Sequence, residues 1–153
     1  MILSAVRFAA LLFLASTLAY GANTIQMEGL VVRAMPPGQA NTAAYLKLHN
    51  GSLKAVALVG GSVTFAQRLE IHQTRQVDGY MRMEKLDQVI IAPGQTLSLE
   101  PGGAHLMLFG LEQALTPGAE VTLCLDFMAA PTVCGRGEVR KPGMESSGHD
   151  HHH

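Results

Sequence analysis

The sequence predicts an all-β domain, arranged as a sandwich or a barrel. Short apolar runs recur along the chain, turn residues separate them, and no stretch repeats apolar residues at helical spacing over a useful length. The chain has 153 residues and a net charge of −1. This length suits one domain once a leader is removed, and the charge pattern offers no basic cluster that would favour nucleic acid.

The apolar runs define the candidate strands, and glycine, proline and asparagine define their ends. The first strand ends before Pro36-Pro37-Gly38, and the third stops at Gly60-Gly61. Asn50-Gly51 and Asp78-Gly79 are typical of hairpin turns. In chain order the candidate strands are Leu30–Val32, Ala43–Leu48, Ala55–Val59, Arg68–His72, Tyr80–Glu84, Val89–Ile91, Thr96–Leu99, His105–Phe109, Val121–Phe127 and Thr132–Val139.

Two of these strands alternate core residues with metal-binding residue types. Successive side chains in a strand point to opposite faces of the sheet. The expected buried set in the fourth and eighth strands is Leu69, Ile71, Leu106 and Leu108. The residues between them should share an outer face or rim, and they are Glu70, His72, His105 and Met107.

The N-terminus has the three parts of a secretory signal peptide, which we assign to residues 1–21. Arg7 precedes an apolar run from Phe8 to Ala19, and small residues occupy the positions expected at a cleavage site. The alternative is a membrane anchor, but a run of about 12 residues is short of the roughly 20 needed to span a bilayer. Cleavage would leave no membrane span in the mature chain and a domain of residues 22–141.

Residues 142–153 should form a disordered tail that ends His149-Asp150-His151-His152-His153. A purification tag is the alternative, but such tags have uninterrupted histidines, and Asp150 interrupts this run. We therefore interpret the tail as a native metal-binding tract.

Cys124 and Cys134 flank a short segment that includes Pro131. If this segment is the bend between two antiparallel strands, the pair can form a cross-strand disulfide in an oxidising compartment. Free thiols are the alternative, and we favour the disulfide.

Four soft donors occur in the pattern H-x10-M-x21-H-x-M, formed by His72, Met83, His105 and Met107. If Asp78-Gly79 is a two-residue turn, His72 lies opposite Lys85 and Thr74 lies opposite Met83. His72 and Met83 then become diagonal neighbours on one sheet face. Met81 lies on the same face and is a candidate spare ligand.

The donor types select the metal. Two imidazoles and two thioethers carry no negative charge, which suits neither Ca²⁺ nor Mg²⁺, and zinc sites recruit thiolate, imidazole or carboxylate. Thioether with imidazole suits Cu(I). The competing interpretation is that Met83 and Met107 fill the core and His105 is an ordinary hydrogen-bonded residue.

These residues and their surroundings resemble the periplasmic PCu(A)C family, the copper chaperones that supply the CuA centre of cytochrome c oxidase. The resemblance covers nearly all of the expected mature chain. It is carried by Val32-Arg33-Ala34, Pro36-Pro37-Gly38, Ala43-Ala44-Tyr45, Glu70-Ile71-His72 and the segment from Leu99 to Leu108. Many members have Met directly after the first histidine, where this chain has Gln73.

The resemblance implies a cupredoxin-like Greek-key β-sandwich, with Cu(I) held by His72, Met83, His105 and Met107. It also implies that the His-rich tail can hold Cu(II). The expected protein is a periplasmic copper carrier and not an enzyme. Its acceptor would be a copper-receiving protein such as cytochrome c oxidase subunit II or a Sco-type protein.

Two alternatives stay open at this point. One is a small electron-transfer cupredoxin, which requires a cysteine thiolate beside two histidines; neither cysteine has a histidine within the few residues that follow it. The other is a metal-free interaction domain in which the histidines and methionines are incidental.

Overall fold

The structure, a computed structural model, describes residues 25–143. Strands account for 66% of it, and no helix occurs in this part of the chain. The strands are β1 (Ile25–Arg33), β2 (Asn41–Asn50), β3 (Val56–Val63), β4 (Ala66–Val77), β5 (Tyr80–Leu86), β6 (Val89–Ile91), β7 (Thr96–Leu99), β8 (Ala104–Leu111), β9 (Glu120–Met128) and β10 (Val133–Arg140). The predicted leader, residues 1–21, and residues 144–153 of the predicted tail lie outside the described residues.

One continuous sheet has the order β5-β4-β8-β2-β1-β10-β9-β3-β6. β7 and β8 pair with successive parts of β2, and β1 pairs with β10 in parallel, whereas the other pairs are antiparallel. Side chains from both halves of this sheet meet in one apolar cluster. The sheet therefore folds over on itself as a sandwich, and the predicted cupredoxin-like all-β fold is confirmed.

The residues expected to face the core do so. Ile71, Leu106 and Leu108 are almost completely buried, and Leu69 is half-buried against the same cluster. Because these side chains are held from one side by the core, the register of β4 against β8 is fixed by their packing.

The Asp78-Gly79 turn is confirmed as the link between β4 and β5. Both residues have positive φ angles, 52° and 82°, as a two-residue turn of this handedness requires. His72 lies opposite Lys85 and Thr74 opposite Met83, as expected.

The hairpin expected at Asn50-Gly51 is wrong, because β2 does not pair with β3. The Asn50 side chain is fully buried, and its Nδ2 donates to the carbonyl oxygens of Lys54 and Ile91. Its Oδ1 accepts from the Ser52 amide and hydroxyl. The asparagine therefore stabilises a loop between layers instead of a tight turn.

β3 also continues through Gly60 and Gly61, where the sequence predicted its end. Gly61 lies directly against the backbone of β9, and a Cβ atom there would overlap the carbonyl oxygen of Cys124. Glycine is used at this position for close approach, not for a turn.

The expected disulfide is confirmed. Cys124 on β9 lies directly opposite Cys134 on β10, and their sulfurs are bonded. The structure therefore has no free cysteine among residues 25–143.

Candidate metal centre

His72 and His105 face each other across two neighbouring strands. β4 lies between β5 and β8, and the register pairs His72 with His105 and Glu70 with Met107. The centroids of the two imidazole rings are 6.2 Å apart. The two histidines expected to belong to one site therefore lie side by side.

The hydrogen bond of His72 defines its tautomer. Its Nε2 lies 2.8 Å from Oε2 of Glu70, and because an ionised carboxylate only accepts, Nε2 carries the proton. Nδ1 then has a lone pair, is buried, and has no hydrogen-bond partner. No other buried side-chain nitrogen or oxygen among the described residues lacks a partner.

Glu70 is held ionised by its neighbours. The pKa of its carboxyl is lowered, first by the hydrogen bond with His72 and further by Lys85 and Arg68, although partial burial opposes this shift. Oε1 lies 2.8 Å from Nε of Arg68 and 3.3 Å from Nζ of Lys85. The carboxylate thus orients one imidazole while two cations balance its charge.

His105 is oriented by the backbone instead. Its Nδ1 donates to the carbonyl oxygen of Gly103 at 3.0 Å, so Nε2 keeps its lone pair. The same carbonyl accepts from the Thr74 amide at 3.1 Å, which ties this turn to β4. His105 is only 5% exposed, and it is therefore more buried than its position on an outer face predicted.

A cavity of about 310 Å³ lies beside His105. Its lining includes three methionines and one histidine together with polar residues of several types. The lining residues are Arg33, Met35, Asn41, Thr42, Ala43, Tyr45, Thr74, Met83, Pro101, Gly102, His105 and Met107. Met107 is half-buried and Met83 is 55% exposed, so neither is a core filler.

The four predicted donor residues therefore lie in one region of the protein, but only three of them line the cavity. Met83, His105 and Met107 line the cavity, whereas His72 lies next to His105 and outside the lining. Met81, the candidate spare ligand, lies opposite Gln76 towards the hairpin turn and does not contribute to the cavity.

Two further residues belong to this region and were missed as functional residues. Glu70 could have been found, because it is two residues from His72 on the same strand face. Met35 lines the cavity from the segment after β1, and no spacing in the sequence connects it to His105.

Comparison with known proteins identifies the family of this chain. The family model "Putative lipoprotein LpqE-like" matches residues 25–136. The chain belongs to the LpqE-like family. This family and the PCuAC domains belong to the same fold family.

Two relatives match more than two thirds of this LpqE-like protein. "Putative lipoprotein Lxx21020" of Leifsonia xyli subsp. xyli is 31% identical over 72% of this chain and 66% of its own length. "Uncharacterized protein RP573" of Rickettsia prowazekii is 30% identical over 68% of this chain and 54% of its own length. The chain therefore spans just under two thirds of the first relative and about half of the second.

Solved structures share the fold. Apo-DR1885 from Deinococcus radiodurans is 28% identical, covers 92% of this chain and 95% of its own, and superposes with a TM-score of 0.60. The CuI-DR1885 structure is 29% identical, covers 81% and 83%, and has a TM-score of 0.61. The copper-bound PCuAC domain from PmoF2 is 20% identical, covers 77% and 93%, and has a TM-score of 0.66.

Two further findings concern residues 25–143 alone. No three histidine, cysteine, aspartate or glutamate side chains are grouped so that they could hold a metal ion. This part of the LpqE-like protein also contains no helix with the length and apolar character of a membrane span.

Proposed function

We propose that this LpqE-like protein binds Cu(I) through His72, Met83, His105 and Met107 and passes the ion to an acceptor protein. The observation that carries the proposal is the unpartnered, buried Nδ1 of His72 beside the ring of His105. A buried polar atom without a hydrogen bond is costly, and a metal ion would give this nitrogen its partner. The outer hydrogen bond to Glu70 is the kind that orients metal-binding histidines.

The ring separation supports one shared ion. A metal–nitrogen bond is about 2.0 Å long, so rings with centroids 6.2 Å apart can contact a single ion after a small side-chain rotation. Both rings also hold their protons on the nitrogen that is engaged elsewhere, which leaves His72 Nδ1 and His105 Nε2 as the donor atoms. The two tautomers therefore fit the proposed site.

The remaining donors support Cu(I) over other ions. Cys124 and Cys134 are bonded to each other in a disulfide, so neither offers a thiolate. No three histidine, cysteine, aspartate or glutamate side chains are grouped as a metal site in residues 25–143. A metal at the cavity would therefore depend on the thioethers of Met83 and Met107, and soft thioether ligands select Cu(I). The CuI-DR1885 structure, from a protein that is 29% identical to this chain, supports this choice.

Release of the ion would begin at Met83. β5 is an edge strand, and Met83 is half-exposed on it, so an acceptor can approach this thioether before it meets the buried His105. Thiolates of the acceptor would displace the thioethers first, because these are the weaker ligands. We propose a copper-receiving protein such as cytochrome c oxidase subunit II, with its CuA site, or a Sco-type protein.

The location we propose is the periplasm or another envelope compartment, reached through a cleaved leader of residues 1–21. A disulfide is typical of oxidising compartments, and the matching family and one relative carry lipoprotein names. The proposed domain of residues 22–141 would precede a tail, residues 142–153, that holds Cu(II) through its histidines.

The second candidate function, electron transfer by a blue-copper site, lacks its ligand. Such a site needs a cysteine thiolate, and both cysteines are bonded to each other. A strong blue absorption of the Cu(II)-loaded protein would favour this alternative over the chaperone.

The test is an anaerobic Cu(I) titration against a competing chelator. It uses the full chain with the four tail histidines, His149, His151, His152 and His153, replaced by serine. In that background Met107→Leu removes a donor and keeps an apolar side chain of similar volume. We expect it to weaken Cu(I) binding by about a hundredfold, at the upper end of the losses seen when groups that support a metal site are removed.

The matched control is Met128→Leu, a change at an exposed methionine on β9 that does not line the cavity. It should leave the affinity unchanged. Equal affinities for the two variants, or no stoichiometric Cu(I) in the starting protein, would refute the proposal. Transfer is then tested by mixing the Cu(I)-loaded protein with an apo CuA domain and measuring where the copper resides.

A further inference from the structure

We propose that Met35 is a further Cu(I) ligand at this site, so that the ion is offered three thioethers and not two. This inference rests on the proposed function, because it assigns an additional donor to the same ion. Met35 lines the cavity together with Met83, His105 and Met107. The three methionines come from three separate segments: the stretch after β1, strand β5 and strand β8.

The backbone just before Met35 is hydrogen-bonded to both neighbouring strands, β2 and β10. The Arg33 carbonyl oxygen accepts a hydrogen bond from Oγ1 of Thr42 at 2.6 Å, and the Ala34 amide donates to the Arg140 carbonyl oxygen at 2.7 Å. Pro36 follows Met35 and restricts it to extended backbone conformations. The thioether is therefore a flexible side chain on a well-defined backbone, which lets its sulfur adjust to an ion without a loop rearrangement.

Met35 does not have the environment of a packing methionine. Thioethers commonly fill irregular gaps in a core, and Met27, on β1, packs against the core cluster in this way. Met35 is similarly half-buried, but it does not pack against that cluster and borders the cavity instead.

The residue types of the cavity lining fit a neutral donor set around a soft ion. No aspartate, glutamate or cysteine accompanies the methionines and His105 among the lining residues. A third thioether increases binding without adding a charge, which favours the monovalent soft ion further.

The experiment uses the full chain in which the four tail histidines are replaced by serine. Cu(I) is added anaerobically, and the methyl signals of all methionines are followed by NMR. Signals are assigned with single Met→Leu variants. We expect the Met35 methyl to shift in the same stoichiometric step as those of Met83 and Met107, whereas Met27 and Met128 stay in place.

Affinity measurements separate ligation from mere proximity. Met35→Leu should weaken Cu(I) binding by about tenfold. Removal of groups that support a metal site typically lowers the metal affinity by about 10- to 100-fold, and we expect the smaller loss here. Met27→Leu, a change at a methionine that is also half-buried but does not line the cavity, should not weaken it.

The outcomes distinguish the two proposals. If Met83 and Met107 shift but Met35 does not, or if Met35→Leu binds Cu(I) as tightly as Met27→Leu, the additional ligand is refuted and the proposed function stands. If none of the three signals moves, both proposals are overturned.

Discussion

The two faces of strands β4 and β8 are built from different kinds of side chain. On the inner face Ile71, Leu106 and Leu108 are at most 1% exposed. On the other face the same strands carry His72, His105 and Met107, of which His72 has a buried nitrogen without a partner. The inner face consists of packed apolar side chains, whereas the outer face carries nitrogen and sulfur atoms of the types that bind metal ions.

The difference predicts that folding stability and the proposed metal binding are largely separable in this protein. Apolar packing on the inner face fixes the register, and the register alone brings His72 opposite His105. The outer face therefore does not have to contribute much free energy of folding to keep its donors aligned. Substitutions on the two faces should affect different measurements.

The largest expected effect on folding comes from the inner face. Leu106→Ala should lower the free energy of unfolding by about 2–5 kcal/mol, because it leaves a cavity where a fully buried leucine was packed. Met107→Leu, one position further on the opposite face, should change it by less than about 1.5 kcal/mol. Urea unfolding of the copper-free proteins measures both, and similar losses in the two variants would show that the faces are not independent.

An intermediate effect is expected at Glu70, which in the proposed site would act on the ion only through His72. Glu70→Gln removes the charged acceptor of the Nε2 proton, and we expect Cu(I) affinity to fall by about tenfold. The nitrogen chemical shifts of the His72 ring should show a mixture of tautomers in the variant.

Glu84→Gln is the control for this change, because Glu84 is exposed on the neighbouring strand and faces away from His72. It should alter neither measurement. A Glu70→Gln protein with wild-type affinity and an unchanged His72 tautomer would remove Glu70 from the site.

The smallest effect is expected at Lys85. Its ammonium group lies 3.3 Å from Glu70, but the side chain is 57% exposed. Exposed ion pairs contribute about 0–1 kcal/mol, so Lys85→Gln should change the free energy of unfolding by less than about 1 kcal/mol. A larger loss in the same urea experiment would mean that the outer face does contribute to folding, contrary to the separation drawn above.

The sequence predicted best what depends on neighbouring residues in the chain. The alternation around Ile71 and Leu106 gave the correct inner face, and the Asp78-Gly79 turn gave the pairing of His72 with Lys85. These features follow from local backbone geometry, which the residue types specify directly.

Features that depend on distant strands were predicted less well. Asn50-Gly51 has the residues of a turn, but its asparagine is used to bond Ile91 on a strand far along the chain. The contribution of Met35 to the cavity follows from the placement of β1 beside β2 and of β2 beside β8. No local pattern contains that information, so the cavity could not be anticipated in full.

The parallel pairing of β1 with β10 has a consequence for how the protein folds. Val31 pairs with Glu138, and the Ala34 amide is bonded to the Arg140 carbonyl, so the wall of the cavity that carries Met35 is held by the last described strand. Contacts between residues so far apart along the chain form slowly, because a large loop has to close first. The wall that carries Met35 therefore depends on the docking of β10 against β1, and we expect a protein in which β10 is detached to keep the paired histidines but lose the enclosure beside them.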